Sequence, residues 1–444
     1  MKSTFLLLII FATTVFSGCK KTLELQPAQS ISIDEALSTD EGVKQVLVGA
    51  YNQFAVEDLF GGNILRNAEL YGGQNEIIWL GTYTGPREIF NQAIIVTNED
   101  VQACWDNAYN LINICNNVLS ALSVVNEADR NRVEGEAKFL RGWMLFELTK
   151  FFGQQYETGA PNTQPGVPVI LTPSQSSTDN AFVARNTVQA CYDQVVSDLE
   201  DAKNLLPQSN GVFADAYAAS ALLARVYLQQ GNYEASRDEA NDVIASDNYS
   251  LVNNYADEFA QDNNTVEDIF AIQISDQDGI NAMNEFFSTS ANGGRGDIQV
   301  LDNFVNSYDP ADARKSIYYK VANKWRTGKF NNRYGNVSVI RLAEMYLTRA
   351  ECNERLGTSV GAFPLDDYNM THVRAGLPAV ATVTLDEILT ERHFELAHEG
   401  FLVHDLKRRH EDCGPLVYND VKMVFPIPQR EMEVNANLEQ NPGY

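Results

Sequence analysis

The sequence is short of basic residues, cysteine, proline and long apolar runs. Its 444 residues hold 33 Lys+Arg against 59 Asp+Glu, a net charge of −26. Phosphate backbones are bound by clustered Lys and Arg, so this deficit argues against a nucleic-acid partner. It argues equally against adsorption to anionic lipid headgroups. The six cysteines lie at 19, 104, 115, 191, 352 and 413, with neither zinc-ligand nor CxxC spacing. GxSxG, a Walker loop, HExxH and a GxGxxG following a strand are all missing, so no common hydrolase, nucleotide or zinc-protease motif is present. No metal or cofactor is expected. The 14 prolines, 44% hydrophobic and 21% charged residues suit a globular chain and are too apolar for a disordered one.

The most apolar run is residues 5–16, twelve residues long. Crossing a bilayer takes about 20. With Lys2 before it and Phe16-Ser17-Gly18-Cys19 after it, the run reads as a secretory signal. Small residues directly before a cysteine resemble a bacterial lipobox, although Phe16 stands where Leu is usual. The expectation is a signal peptide over 1–18 and a mature chain of 19–444, lipidated on Cys19. That chain would be held on the membrane by its acyl chains alone. A secretory signal without lipidation is the alternative. Five cysteines would then remain. Cys104 and Cys115 fall on one predicted helix, about 16 Å apart, beyond disulfide reach. The five are expected to act as small buried hydrophobes.

Apolar spacing predicts helices over 101–125, 128–152, 187–206, 215–229, 234–245, 339–356 and 385–400. Thr384 with Glu387 reads as a capping box. Strand signals are few: 167–170, 269–274 and 421–425. Leu223-Ala-Arg-Val-Tyr-Leu228 is echoed by Leu342-Ala-Glu-Met-Tyr-Leu347 as LAxxYL, and the first copy continues to Gly231 and Tyr233. That pattern resembles a tetratricopeptide repeat. Weaker copies lie at 47–51 and 139–146. The irregular spacing predicts hairpins of tetratricopeptide type at about 34–54, 101–152, 187–245 and 339–400. The intervening segments would form an irregular, loop-rich subdomain. One stretch of it, 313–343, carries eight Lys and Arg and no acid, whereas 234–268 carries ten acids and one Arg. A local reversal of sign leaves an anionic ligand open.

Several segments resemble the SusD/RagB family of outer-membrane nutrient-uptake lipoproteins. They are LELQP (23–27), GEAKFLRGWMLFELTKFFG (135–153), IRLAEMYLTRAEC (340–352), VRAGLP (373–378), ERHFELAHEGFLVHDLKR (391–408) and FPIPQREMEVNANLEQNPGY (425–444). The order is the family's and the matches span nearly the whole chain. Phe401-Leu402-Val403 departs from the usual Arg-aromatic after EG, and the chain is shorter than many members. The resemblance implies a mainly α, SusD-like fold in which four tetratricopeptide units support a more irregular half. It implies a cell-surface lipoprotein of a Gram-negative outer membrane that holds a nutrient, most often a glycan. Such a protein sits as a lid over a SusC-like TonB-dependent transporter and is not known for catalysis.

Sugar binding asks for aromatic faces against pyranose C–H groups and amides or carboxylates for the hydroxyls. Tyr71, Asn75, Trp79 and Tyr83 offer both in one Gly-bearing segment, 71–83, with core packing as the alternative for Trp79. Trp325, between Lys324 and Arg326, is open to stacking a ligand, meeting the transporter, or burial. Arg295, in the GGRGD loop 293–297, completes the candidates. Glu391, Glu395 and Glu399 recur at four-residue spacing. A glycosidase needs carboxylates about 5–9 Å apart on opposite sides of a bond. One helix face does not supply that, so ion pairs with Arg392, Arg408 or Arg341 are expected. All five histidines lie after residue 371, and His393 and His398 do not converge on a helix. The expected function is therefore non-enzymatic glycan capture for a transporter. The rivals are the same architecture with peptide or other non-sugar cargo, a non-binding transporter subunit, and a helical glycosidase.

Overall fold

Side-chain caps begin half of the α-helices among the described residues. A computed structural model describes residues 32–176, 178–275 and 281–444. The expected signal peptide, Cys19 and the 23–27 segment lie outside the described residues. Helix α1 (Asp40–Phe54) starts on Thr39, whose hydroxyl accepts from the Gly42 N–H. After α2 (Asn63–Gly72) and α3 (Thr84–Phe90) come the long helices α4 (Glu99–Ser120) and α5 (Glu127–Phe152). Next are α6 (Val188–Leu205), capped by Thr187, α7 (Ala216–Gln230), capped by Asp215, and α8 (Tyr233–Ala245), capped by Asn232. A short α9 (Ala282–Phe287) precedes α10 (Leu342–Leu356), α11 (Pro364–Arg374), α12 (Leu385–Glu395) and α13 (Leu402–Arg408). The capping box of Thr384 and Glu387 is present. The chain is mainly helical, as expected.

Successive helices pack side by side: α1 on α4, α4 on α5, α5 on α6, α6 on α7, α7 on α8, α8 on α10, and α10 on both α11 and α12. The two LAxxYL copies open the corresponding hairpins α7–α8 and α10–α11. Both first helices stop at a glycine in the left-handed region, Gly231 (φ +68°) and Gly357 (φ +63°). At Gly231 a Cβ would also meet the Thr158 hydroxyl at 2.2 Å. The echoed helices bind one another through the same position of the motif. Arg225 donates from Nε to Glu344 Oε1 (2.9 Å) and from Nη2 to Oε2 (2.7 Å).

Some expected elements shift. Residues 339–341 end a strand rather than begin α10. Helix α12 stops at Glu395, and His398 (φ +68°) and Gly400 (φ +89°) turn the chain away. Segments 167–170 and 421–425 form no strand. Six short strands occur among the described residues: β1 (Ile77–Trp79), β2 (Asp268–Ile272), β3 (Ile298–Val300), β4 (Tyr318–Val321), β5 (Lys324–Thr327) and β6 (Val337–Arg341). They form a four-stranded sheet, β1-β3-β5-β4, and an antiparallel pair, β2–β6. The core is continuous from scaffold to sheets. Trp143 of α5 is fully buried, with ring centroids 4.9–5.4 Å from Phe54, Phe60, Phe139 and Phe270. Cys104, Cys115, Cys191, Cys352 and Cys413 are all free and buried, as expected of small hydrophobes.

Only part of the acid-free segment is a basic surface, with Lys320, Lys324 and Arg333 exposed. Arg314, Arg326, Lys329 and Arg341 are all buried. Arg341 contacts Glu267 (2.8 Å), Glu395 (2.6 Å) and Glu399 (2.8 Å). Arg314 contacts Asp312 (2.7 Å), Glu391 (2.7 Å) and Glu395 (3.3 Å), and Lys329 contacts Glu399 (2.5 Å). Arg374 joins Glu267 (2.9 Å) and Glu395. The expected Arg341 pairing is present for Glu395 and Glu399, whereas Glu391 takes Arg314. Glu399 lies past the end of α12, so the three carboxylates do not share one helix face. Burial opposes their charge, but Arg374, Arg341 and Arg314 outweigh it and hold Glu395 far below the usual carboxylate range.

Candidate functional site

The candidate segment is not an open loop. Residues 63–71 of α2 are all buried. A turn at Gly73–Glu76 then leads into β1, which pairs with β3 so that Trp79 faces Ile298. Trp79 is 6% exposed and tilts against Phe286 at 5.8 Å. Tyr71 is 2% exposed, packs edge-on to Phe425 and gives its hydroxyl proton to the Lys422 carbonyl. Neither ring has a face to offer a ligand. Both are core residues, which corrects the expectation for this segment: the sheet and the carboxy-terminal strap cover them.

The other four candidates separate along the β1–β3 ladder. At one end the Asn75 carbonyl accepts from Asn303 (2.6 Å), and Trp325 donates from its indole to Asp302 (2.7 Å). Lys320 lies 4.6 Å over the half-buried Trp325 ring. At the other end, past the Leu80 N–H bond to the Asp297 carbonyl (2.7 Å), stand Tyr83 and Arg295. The Arg295 guanidinium lies 4.1 Å over the Tyr83 ring and donates to its hydroxyl (3.1 Å). Asp297, at 2.7 Å, holds that guanidinium in place. Tyr83 is 46% exposed.

Tyr83 stands on the wall of a cleft of about 650 Å³. Its floor comes from the end of α1, from α2 and from the first turn of α4. The lining includes Glu57, Asp58, Asn63, Glu88, Glu99 and Asp100. Arg66 lies flat on Phe286 (4.3 Å) and pairs with Asp100, so its charge is spent within the wall. Asp58 accepts from the amides of Asn63 (3.2 Å) and Asn107 (3.0 Å). Among the described residues, neither Glu57 nor Glu99 forms an ion pair. Burial, helped by Glu285 and Asp58, pushes the Glu57 carboxyl up. Asn63 is 5% exposed and its Oδ1 has no donor. Sequence reasoning missed this floor. Glu57 and Asp58 follow a helix end, and Glu99 and Asp100 read as ordinary helix N-terminal acids.

A second cleft, about 700 Å³, lies beside Tyr109, Phe182 and Val434. Its amides Asn113 and Asn180 already bond the 172–174 loop that they hold. The histidines form no metal centre. His393 pairs with Glu76 (2.9 Å) and His398 is wholly buried, and among the described residues no group of three or more His, Cys, Asp or Glu is placed to hold a metal ion.

Glu69, one turn beyond Arg66 on α2, holds the turn that follows α12. Its Oε1 accepts from the Gly400 N–H (2.8 Å) and the Phe401 N–H (3.0 Å). Burial, with Glu76 adding to it, pushes its pKa up to about 7. Because this value lies above that of an unfolded carboxyl, the group's contribution is complete below about pH 4.5 and is lost as pH rises through 7. Glu69→Gln keeps an acceptor oxygen and removes the buried charge. Its stability relative to wild type should rise between pH 5 and 8, towards a gain on the order of 3 kcal/mol. Urea unfolding at both pH values measures this, and a pH-independent difference contradicts it.

Two family models match the chain: "Starch-binding associating with outer membrane" over 23–228, and "SusD family" over 303–423. SusD-like protein P38 of Formosa agariphila is 24% identical, with 98% of each chain covered. A SusD-like protein of Bacteroides ovatus is 25% identical over 88% of this chain and 80% of the relative. The crystal structure of a SusD superfamily protein from Bacteroides thetaiotaomicron superimposes with a TM-score of 0.81 at 27% identity, covering 91% of this chain and all of that one. Surface glycan-binding protein A of the same organism shares the fold at 21% identity, with a TM-score of 0.77 and 92% of this chain covered. Both halves of the chain match models of one family, a solved member shares its fold almost end to end, and the protein belongs to the SusD/RagB family.

Proposed function

We propose that this protein is a non-enzymatic, cell-surface lipoprotein that binds a glycan in the Tyr83 cleft and delivers it to a SusC-like TonB-dependent transporter. The observation that carries the reading is the cleft itself. An exposed aromatic stands over a floor of carboxylate and amide acceptors, which is the combination that pyranose C–H faces and hydroxyls require. The family description, starch-binding and associated with the outer membrane, supports the same cargo and place. So does the shared fold of a surface glycan-binding protein. Binding is favoured over catalysis at α12, because Glu391 and Glu395 are locked to arginines and keep no proton to donate at neutral pH.

A glycan array followed by calorimetry with residues 20–444 tests the reading. Tyr83→Ala should weaken the best glycan about tenfold, the value of one aromatic contact. A folded wild type that binds no glycan contradicts it. Co-purification of a β-barrel partner tests the delivery step.

A further inference from the structure

We propose that the glycan held in the Tyr83 cleft carries a protonated amine, as an amino-sugar unit does, rather than a carboxylate or sulfate. This rests on the proposed function and names the ligand class of that site. Five carboxylates line the cleft, from Glu57, Asp58, Glu88, Glu99 and Asp100, against one guanidinium, that of Arg66. Arg66 is fully buried, and its charge is committed to Asp100 and to the face of Phe286. Among the described residues the other four carboxylates form no ion pair, and Arg66 acts on Glu57 only from beyond contact distance. Asp58 is held by two neutral amides and Glu88 by the Asn98 amide (2.8 Å). These bonds orient the carboxylates without neutralising them. Arg295 stands at the rim and is balanced by Asp297 and, at 3.9 Å, by Glu285.

A separate observation points to a donor. The Asn63 side chain lines the cleft, is almost wholly buried, and leaves Oδ1 unpartnered while its Nδ2 serves Asp58. A buried acceptor without a donor is costly. The cleft is therefore rich in acceptors and in negative charge together. Hydroxyl groups would satisfy the acceptors alone, whereas an ammonium group satisfies the acceptors and cancels charge. An anionic sugar does neither, and each like-charge contact it made would be repulsive even in water. The cations of the acid-free segment 313–343 do not offset this. None of them lines the cleft, and Arg314, Lys329 and Arg341 are paired in the core.

Calorimetry on the full mature chain, below the amine pKa and at low salt, compares three oligosaccharides of equal length. They are a β-1,4-glucosamine oligomer, its fully N-acetylated counterpart and an oligogalacturonate. The glucosamine oligomer should bind about tenfold or more tightly than the acetylated one, with the advantage shrinking as salt is added. The uronate should bind weakest. In Asp58→Asn and Glu57→Gln, checked for folding by circular dichroism, the amine preference should fall to about threefold or less. Equal binding of amine and acetylated oligomers, or tightest binding of the uronate, overturns the inference. If the array finds only some other neutral or anionic glycan, the inference fails while the proposed function stands. If it finds no glycan at all, both fail.

Discussion

Arg341→Met is expected to cost about 3–5 kcal/mol of stability, the loss typical when one partner of a buried ion network is removed. Arg341 is the hub at which Glu267, Glu395 and Glu399 meet, each within 2.8 Å, and its Nη2 also donates to the Glu395 carbonyl (2.6 Å). Methionine fills similar space and takes one counter-charge from each of those carboxylates, the largest one for Glu399. Arg374 still pairs with Glu267 and Glu395, and Lys329 with Glu399, but each of these acids loses one of its cations, while Arg314 is shared with Asp312 and Glu391. Urea unfolding followed by circular dichroism reads the effect. Arg341→Lys should fall between wild type and Met, because an ammonium keeps the charge and loses the fork that serves two acids at once. Adding Glu399→Gln to the Met variant should recover part of the loss. The acid limb carries a second signature. Glu395 and Glu399 titrate below their unfolded values, so they stabilise the fold above about pH 4.5, and this contribution is lost as pH falls through their folded values. The Met variant should show a shallower decline on acidification. An Arg341→Met protein within about 1 kcal/mol of wild type at neutral pH would show that the network is not what holds these elements together.

Trp143→Ala should cost a similar 3–5 kcal/mol, by a different mechanism. The indole joins the scaffold helix α5 to Phe54 of α1, to Phe60 and to Phe270 of β2. Alanine leaves a cavity that the surrounding rings, held by the helices and the β2–β6 pair, fill only in part. The lost indole bond to Glu147 (3.3 Å) adds little, because Lys150 still pairs with that carboxylate (2.8 Å). Trp143→Phe should lose clearly less, since most of the ring contact survives. The two variants separate the charged core from the aromatic one. Arg341→Met should alter the pH dependence of unfolding, and Trp143→Ala should lower stability by the same amount at every pH. A loss below about 1 kcal/mol for Trp143→Ala would place the joint between helices and strands elsewhere.

Much of this architecture was legible in the chain. The helices α5 to α8 begin and end within about one residue of their predicted bounds, and α4 begins within two but stops five residues early; Asn98, Thr187, Asp215 and Asn232 are local signals that act on the next turn. The LAxxYL echo marked two equivalent helices, though not that Arg225 and Glu344, at the same place in each copy, would bind one another. The candidate site was legible only at its rim. Tyr83 and Arg295 meet as neighbours of one cleft, although 211 positions lie between them in the chain. Trp79 and Tyr71 resemble a binding platform in composition, but a β3 strand from far along the chain and the carboxy-terminal segment cover them.

What the sequence determined by itself is whatever depends on near neighbours: caps, helical faces, glycine stops, the separation of Cys104 from Cys115 and the family motifs. What only the tertiary structure decided is where charge and aromatic surface end up. Eight cations in an acid-free stretch suggested a basic face. Folding places four of them inside, opposite Glu267, Glu391, Glu395 and Glu399 or against backbone carbonyls, and leaves the acids of α1 and α4 to line the cleft. The physical reason is that periodicity settles which residues share a face. Whether a charge can be buried on that face depends on counter-charges that only long-range packing brings within about 3 Å.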